Sequence, residues 1–210
     1  MANNDAASRL VLKGTTTIGV VCIDGVILAS DTRVTMGFYV AHKFGKKIYK
    51  IDEHLGMTIA GTVADAQRVV DIITANAQLY RINIGRPMPV SSAARMTANL
   101  LFSARGLQTQ VLIGGVDETG AHVFSLDPFG SLTEEKCVAT GSGSPIAYGV
   151  LEDKYKEGVS VEEFLSIIVK AVNSAMKRDA ASGNNYNVTI IDKKGYRELT
   201  DKEKTRLLAN

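Results

Sequence analysis

The order in which two periodicities follow one another constrains this chain more than any other feature. Thr16–Ile23 is rich in β-branched residues, Asp24-Gly25 is a hairpin-type turn, and Val26–Ser30 resumes the strand pattern. Lys46–Ile51 and Gly56–Ala60 form a second pair around Asp52-Glu53-His54. The period then changes. Val63, Ala66, Val69, Val70, Ile73, Ala77 and Tyr80 recur at helical spacing, and Gly85 to Pro89 breaks that helix. Ser91 or Ser92 is placed to cap a second helix to about Ala104, carrying Ala94, Met96, Leu100 and Leu101. Gln110–Val116 and His122–Leu126 return to strand, and a further strand is expected over Glu135–Ala139. Two more helices follow. One covers about Ser144–Lys156; the other opens with the capping box Ser160-x-x-Glu163 and carries Val161, Phe164, Leu165, Ile168, Val172 and Met176 on one face. Asn187–Asp192 and Tyr196–Leu199 make a last hairpin, and a short helix is expected from Asp201.

Hairpin connections imply antiparallel sheets. The helices come in pairs between strand blocks, so single βαβ crossovers do not account for them. Two antiparallel sheets stacked between two helical layers bury every apolar stripe in the list of segments above, an α+β arrangement of four layers, αββα.

The function classes excluded are few but clear. A net charge of +2 over 210 residues gives no electrostatic case for nucleic acid or an anionic membrane. Lys43, Lys46, Lys47 and Lys50 cluster locally, and Lys43 and Lys50 read as a solvated strand face. No apolar run reaches the ~18 residues of a membrane span. The first 14 residues, MANNDAASRLVLKG, hold only Leu10-Val11-Leu12 as an apolar group, less than a secretion signal needs, so a cytoplasmic location is expected. Cys22 and Cys137 lack metal-ligand spacing and read as buried free thiols in a reducing compartment. His42, His54 and His122 are isolated. No cofactor and no metal are expected.

Hydroxyls, carboxylates and cations fall near several of the expected strand ends. Lys13-Gly14-Thr15-Thr16-Thr17 is, by itself, a good strand start. Cleavage between Gly14 and Thr15 would change that. Thr15 would then carry an α-amine of pKa about 7.7–8.0, close enough to neutrality to accept its own hydroxyl proton. Gly14 suits the turn that a hydroxyl needs to attack the preceding carbonyl. Asp31 ends a strand next to the Thr15 strand, and Lys47 starts another. As a buried pair they would satisfy each other and place a cation near Thr15; on the surface they would contribute little. Thr140-Gly141-Ser142-Gly143-Ser144-Pro145 reads either as a phosphate cradle or as a tight strand-to-helix turn beside a site. It lacks the Lys-Ser/Thr ending of a P-loop. Asp179 and Ser182 are a helix-end cap or a hydrogen-bonded support for a reacting group.

The ordered set "KGTTTIGV", "LASDTRVT", "GKKIYKID", "GMTIAGTVADAQ", "VLIGGVD", "TGSGSPIAYGVLE" and "RDAASG" resembles the proteasome β subunits, most closely the archaeal type, over nearly the whole chain. The resemblance implies the N-terminal nucleophile hydrolase fold, a propeptide of residues 1–14 removed autocatalytically, and a single catalytic domain over 15–210. It implies Thr15 as nucleophile and base, Lys47 and Asp31 as its charged partners, Gly61 as oxyanion donor through its N–H, and Ser142, Asp179 and Ser182 as the supporting network. Many archaeal relatives have Glu where this chain has Asp31. The implied substrate pocket is Val34, Gly45, Tyr49, Ile59, Val63 and Gln67. None of these is charged, which favours cleavage after large hydrophobic residues. The implied partners are proteasome α subunits and other β subunits in stacked seven-membered rings, an ATP-dependent unfoldase acting through the α ring, and unfolded polypeptide substrates. The resemblance leaves two alternatives: a non-catalytic structural ring subunit, and the bacterial proteasome-like protease with six-membered rings. A glutamine amidohydrolase relative would require an N-terminal Cys, which neither Cys22 nor Cys137 supplies.

Overall fold

The computed structural model describes residues 14–104 and 107–209. Residues 1–13, including Leu10-Val11-Leu12 and most of the expected propeptide, lie outside the described residues. The first sheet has the order β10-β1-β2-β11-β12, from β1 (Thr17–Cys22), β2 (Gly25–Asp31), β10 (Cys137–Thr140), β11 (Tyr186–Asp192) and β12 (Gly195–Glu198). The second runs β5-β6-β7-β8-β9, from β5 (Ile48–Asp52), β6 (Leu55–Gly61), β7 (Thr109–Asp117), β8 (Gly120–Leu126) and β9 (Leu132–Glu135). All neighbouring strands are antiparallel. Helices α1 (Val63–Ile84) and α2 (Val90–Ser103) cover the second sheet. Helices α3 (Ser144–Lys154) and α4 (Val161–Arg178) cover the first, and α5 (Asp201–Ala209) packs on α4. The four-layer αββα sandwich of the N-terminal nucleophile hydrolases is therefore the architecture.

Strand alternation builds the layers. In β2, Ile27 and Ala29 join the core under α3 and α4, while Val26 and Leu28 face the second sheet. In β7, Val111 and Ile113 point to α1 and α2, and Leu112 points inward. Central strands buried on both faces read as continuous apolar runs for this reason. The inner faces approach closely. A Cβ on Gly114 would meet Val26 Cγ1 of the opposite sheet at 2.8 Å, so glycine there sets the sheet spacing. In α4, Phe164 is fully buried and packs edge-on against Tyr155 at 5.6 Å. The capping box at its start is formed as expected.

Three local expectations are corrected. The strand expected over Glu135–Ala139 is broken at Lys136: β9 pairs with β8 in one sheet and β10 with β1 in the other. A run of apolar alternation does not say which sheet supplies the partner. Neither Ser91 nor Ser92 caps α2. The helix starts at Val90 after Pro89, and the distant Asp117 carboxylate accepts the Val90 N–H at 2.9 Å. A hairpin of β3 (Val34–Met36) and β4 (Tyr39–His42) was not expected. Its residues are mostly exposed, so no burial pattern marks them; Phe38 is 85% exposed.

Among the described residues no helix is long and apolar enough to cross a membrane. Lys43 and Lys50 are exposed, the latter paired with Glu53. Cys22 is buried, Cys137 is partly buried, and both are free thiols. Burial pushes each thiol up to about 12. At pH 8 the thiolate is then on the order of one part in ten thousand. Iodoacetamide at pH 8 is expected to modify neither cysteine in the native protein within an hour and both in urea. Rapid native labelling by mass spectrometry would refute this.

Candidate active site

The site is assembled at one end of the first sheet, where β1 begins and β2 ends. Asp31, the last residue of β2, is fully buried. Its Oδ1 accepts from the Thr16 N–H at 2.9 Å and from Lys47 Nζ at 2.7 Å. Its Oδ2 accepts from the N–H groups of Arg33 at 2.9 Å and Gly183 at 3.0 Å. The Thr15 hydroxyl donates to Oδ1 at 3.4 Å. A buried carboxylate needs this degree of satisfaction. Lys47, just before β5, is itself buried, so the ion pair is internal.

Two further groups meet Thr15 from the other side. Its N–H donates to Ser142 Oγ at 3.2 Å, and Ser142 Oγ donates to Asp179 Oδ2 at 2.6 Å. Ser182 Oγ donates to the same Asp179 oxygen at 2.5 Å and pairs with Thr16 Oγ1 at 2.7 Å. Ser182 thus touches Thr16 rather than Thr15. The hydroxyl of Thr16, expected to be a plain strand residue, closes the network, and Thr17 Oγ1 pairs with Thr140 Oγ1 at 2.6 Å.

The glycine loop before α3 is a backbone seat. Gly143 N–H donates to the Thr15 carbonyl at 3.2 Å, and Gly141 N–H to Gln110 Oε1 at 3.2 Å. A Cβ at Gly141 would overlap the Thr15 carbonyl, and one at Gly143 the Thr16 hydroxyl. With those amides engaged, the phosphate-cradle reading is set aside for the strand-to-helix turn. Gly14 is also required for space. A Cβ there would overlap Ala181 Cβ and Ser142 Oγ. Close approach is therefore reason enough for that glycine.

Two cavities flank Thr15 and share Gly14, Thr15 and Gly61. The one of about 540 Å³ is lined by all six expected pocket residues, Val34, Gly45, Tyr49, Ile59, Val63 and Gln67, together with Lys47. Arg33, His42 and Lys46 also reach its wall, which sequence reasoning did not foresee. The other, about 870 Å³, is lined by apolar residues including Leu101, Phe102, Leu107 and Phe129. These carried no distinguishing signal: Leu101 and Phe102 near a helix end look like core, and Leu107 and Phe129 lie in loops without a period. Gly61 ends β6 at φ 136°, against Gln108 of β7's approach. Among the described residues no group of three or more His, Cys, Asp or Glu side chains could hold a metal ion.

Burial pushes the Lys47 ammonium below the ordinary lysine range. The charge and hydrogen bond of Asp31 and the charge of Asp179 oppose the shift, and the nearby Arg33 charge adds to it.

The αββα sandwich is the fold of the N-terminal nucleophile hydrolases, and here a hydroxyl, a buried carboxylate and a buried ammonium meet where its first central strand begins. The family described as "Proteasome subunit" matches residues 11–191. The proteasome subunit beta of Methanosarcina mazei is 47% identical over 195 residues, covering 91% of this chain and 93% of that protein. That of Methanothermobacter thermautotrophicus is 46% identical over 202 residues, covering 95% and 96%. That of Methanocaldococcus vulcanius is 49% identical over 203 residues, covering 95% and 91%. The chain belongs to the proteasome subunit family, and its relatives in these archaea are β subunits.

A lowered lysine pKa means that the folded chain binds fewer protons than the unfolded chain just below pH 10.5. Lys47 then contributes to stability above pH 10.5, and that contribution is lost as pH falls through the native value. With ¹³C-labelled lysine, the Lys47 Cε titration is expected below 10.5 in the native protein and near 10.5 in urea. A native midpoint at or above the urea value would show that burial does not dominate.

Proposed function

We propose that this chain is the threonine-type endopeptidase subunit of a proteasome core particle, activated by cleavage between Gly14 and Thr15. The observation that carries this reading is the approach of one buried carboxylate, Asp31, to both the Thr15 hydroxyl at 3.4 Å and the Lys47 ammonium at 2.7 Å. In activation, Thr15 Oγ1 gives up its proton and attacks the Gly14 carbonyl carbon. The peptide C–N bond breaks and the Thr15 nitrogen takes up that proton, leaving Gly14 as an ester on Oγ1 and a free amine on Thr15. Water hydrolyses the ester, and residues 1–14 depart with a new carboxylate.

In turnover the Thr15 amine accepts the hydroxyl proton while Oγ1 attacks the scissile carbonyl. Lys47 supplies a cation that favours the neutral, proton-accepting amine. The Gly61 N–H is the donor to the oxyanion, a contact of the kind that contributes about 2.7–4 kcal/mol. The proton passes to the leaving amine, and water then frees the acyl group and restores the hydroxyl. Ser142, Asp179 and Ser182 hold the Thr15–Thr16 segment.

Val34, Gly45, Tyr49, Ile59, Val63 and Gln67 form the specificity pocket in this reading. Its apolar wall suits large hydrophobic side chains, a chymotrypsin-like preference. Arg33 and Lys46 in the wall oppose a basic residue. The proposed setting is a cytoplasmic particle in which β rings stack with rings of α subunits, seven to a ring, fed unfolded polypeptides by an ATP-dependent unfoldase.

The intact mass of the chain assembled with its α subunit tests the activation step. Wild type is expected to lose residues 1–14 and Thr15→Ala to keep them. A wild-type chain that retains its leader in the assembled particle would defeat the mechanism. A panel of fluorogenic peptides tests the pocket. Cleavage after Leu, Phe or Tyr is expected to be at least about 10-fold faster than after Arg or Asp, and the reverse order rejects the assignment.

A further inference from the structure

Arg33 reaches the pocket wall but takes no part in the proton and acyl transfers set out above, yet it is bonded into the site from both ends. Its backbone N–H donates to Asp31 Oδ2 at 2.9 Å. Its guanidinium reaches the loop after α4: Nη1–H donates to the Ala180 carbonyl at 2.8 Å and Nε–H to Asn184 Oδ1 at 2.9 Å. A Cβ on Gly183 would run into the guanidinium, so the cation lies directly against that glycine. Asn184 holds φ at 65°, the one non-glycine residue in the left-handed region among those described. A conformation of that kind persists only where its surroundings impose it.

The same loop serves Thr15. Gly183 N–H donates to Asp31 Oδ2, Ser182 pairs with Thr16, and Asp179 joins Ser182 to Ser142. We propose that Arg33 is a positioning residue whose guanidinium clasps the 180–184 loop to the end of β2. The clasp keeps the Gly183 N–H on Asp31 and the Ser182–Asp179 pair on the Thr15–Thr16 segment. This rests on Thr15 being the nucleophile.

The chemistry selects arginine. Two acceptors four positions apart are met by two N–H groups of one planar fork, which a lysine ammonium on a flexible stem does not reproduce. The clasp is not what holds the loop in the fold. The Thr32 N–H donates to the Asn185 carbonyl at 2.9 Å, and β11 pairs with β2 along its whole length. Loss of the guanidinium therefore leaves a folded chain with a loosened site, and small misplacements at a reacting centre cost rate.

The test uses the particle assembled with α subunit, comparing Arg33→Ala, Arg33→Lys, Asn184→Gly, the Arg33→Ala/Asn184→Gly double variant and Thr15→Ala. Asn184→Gly removes the acceptor but retains the left-handed backbone. Arg33→Ala is expected to lower kcat on a hydrophobic peptide roughly 10-fold or more, with KM within about 2-fold. Arg33→Lys should recover little of the loss. Asn184→Gly should show a smaller loss, and the double variant should be no worse than Arg33→Ala, since both changes remove one contact. Unchanged kcat, a loss seen only in KM or thermal stability, or additive losses in the double variant would each overturn the clasp. If Arg33→Ala does not assemble, Arg33→Lys and Asn184→Gly give the same comparison. Activity persisting in Thr15→Ala would instead overturn the nucleophile assignment beneath it.

Discussion

The buried Asp31 carboxylate is the interaction on which the rest of the site depends. A charge removed from water is tolerable only if paired and hydrogen-bonded on all sides. Asp31 meets that condition by drawing donors from separate parts of the chain: Thr16 at the start of β1, Arg33 beyond β2, Lys47 before β5 and Gly183 beyond α4. Each donor fixes the position of its own segment relative to the others. Removing a single partner from such a buried pair typically costs about 3–5 kcal/mol. The geometry around Thr15 is thus a consequence of satisfying one carboxylate.

Crowding completes what charge begins. Gly14, Gly141 and Gly143 leave no room for a side chain, so the loop before α3 closes directly onto the Thr15 backbone. The Gly143 N–H then takes the Thr15 carbonyl, and Ser142 comes within reach of the Thr15 N–H. The two sheets beneath provide a base that deforms little, since close-packed interiors transmit displacement rather than absorb it. Thr15 sits where that base opens into the two cavities. Its reach into both is set by where β1 begins, not by any loop of its own.

Much of the fold was legible in the sequence because burial leaves a period. Paired helical stripes and hairpin-linked strands implied the αββα order, and α4 with its capping box was readable nearly to the residue. Legibility failed where a partner lies far along the chain or where burial is slight. Lys136 looks like any strand residue until β9 and β10 are seen to join different sheets. The cap of α2 comes from Asp117, more than twenty positions away. The β3–β4 hairpin is too exposed to carry a pattern. At the site, Thr15, Asp31, Lys47, Ser142, Asp179 and Ser182 were all named from the sequence, and they converge. The hydroxyl of Thr16, the Gly183 N–H and the second cavity were not.

By itself the sequence determined which residues are able to do chemistry and the order of layers that would carry them. Residue type and periodicity are local properties, and both are written along the chain. Only the tertiary structure decided that one carboxylate serves the Thr15 hydroxyl and the Lys47 ammonium together, and that Gly14 is a glycine for want of space. It also decided that Ser182 reaches Thr16 and that Arg33 spans to Ala180 and Asn184. Those outcomes depend on distances between separate segments, from 16 positions apart for Asp31 with Thr15 and Lys47 to 166 for Thr16 with Ser182. Such distances follow from the packing of the two sheets and from the need to satisfy a buried charge, and no stretch of sequence contains them.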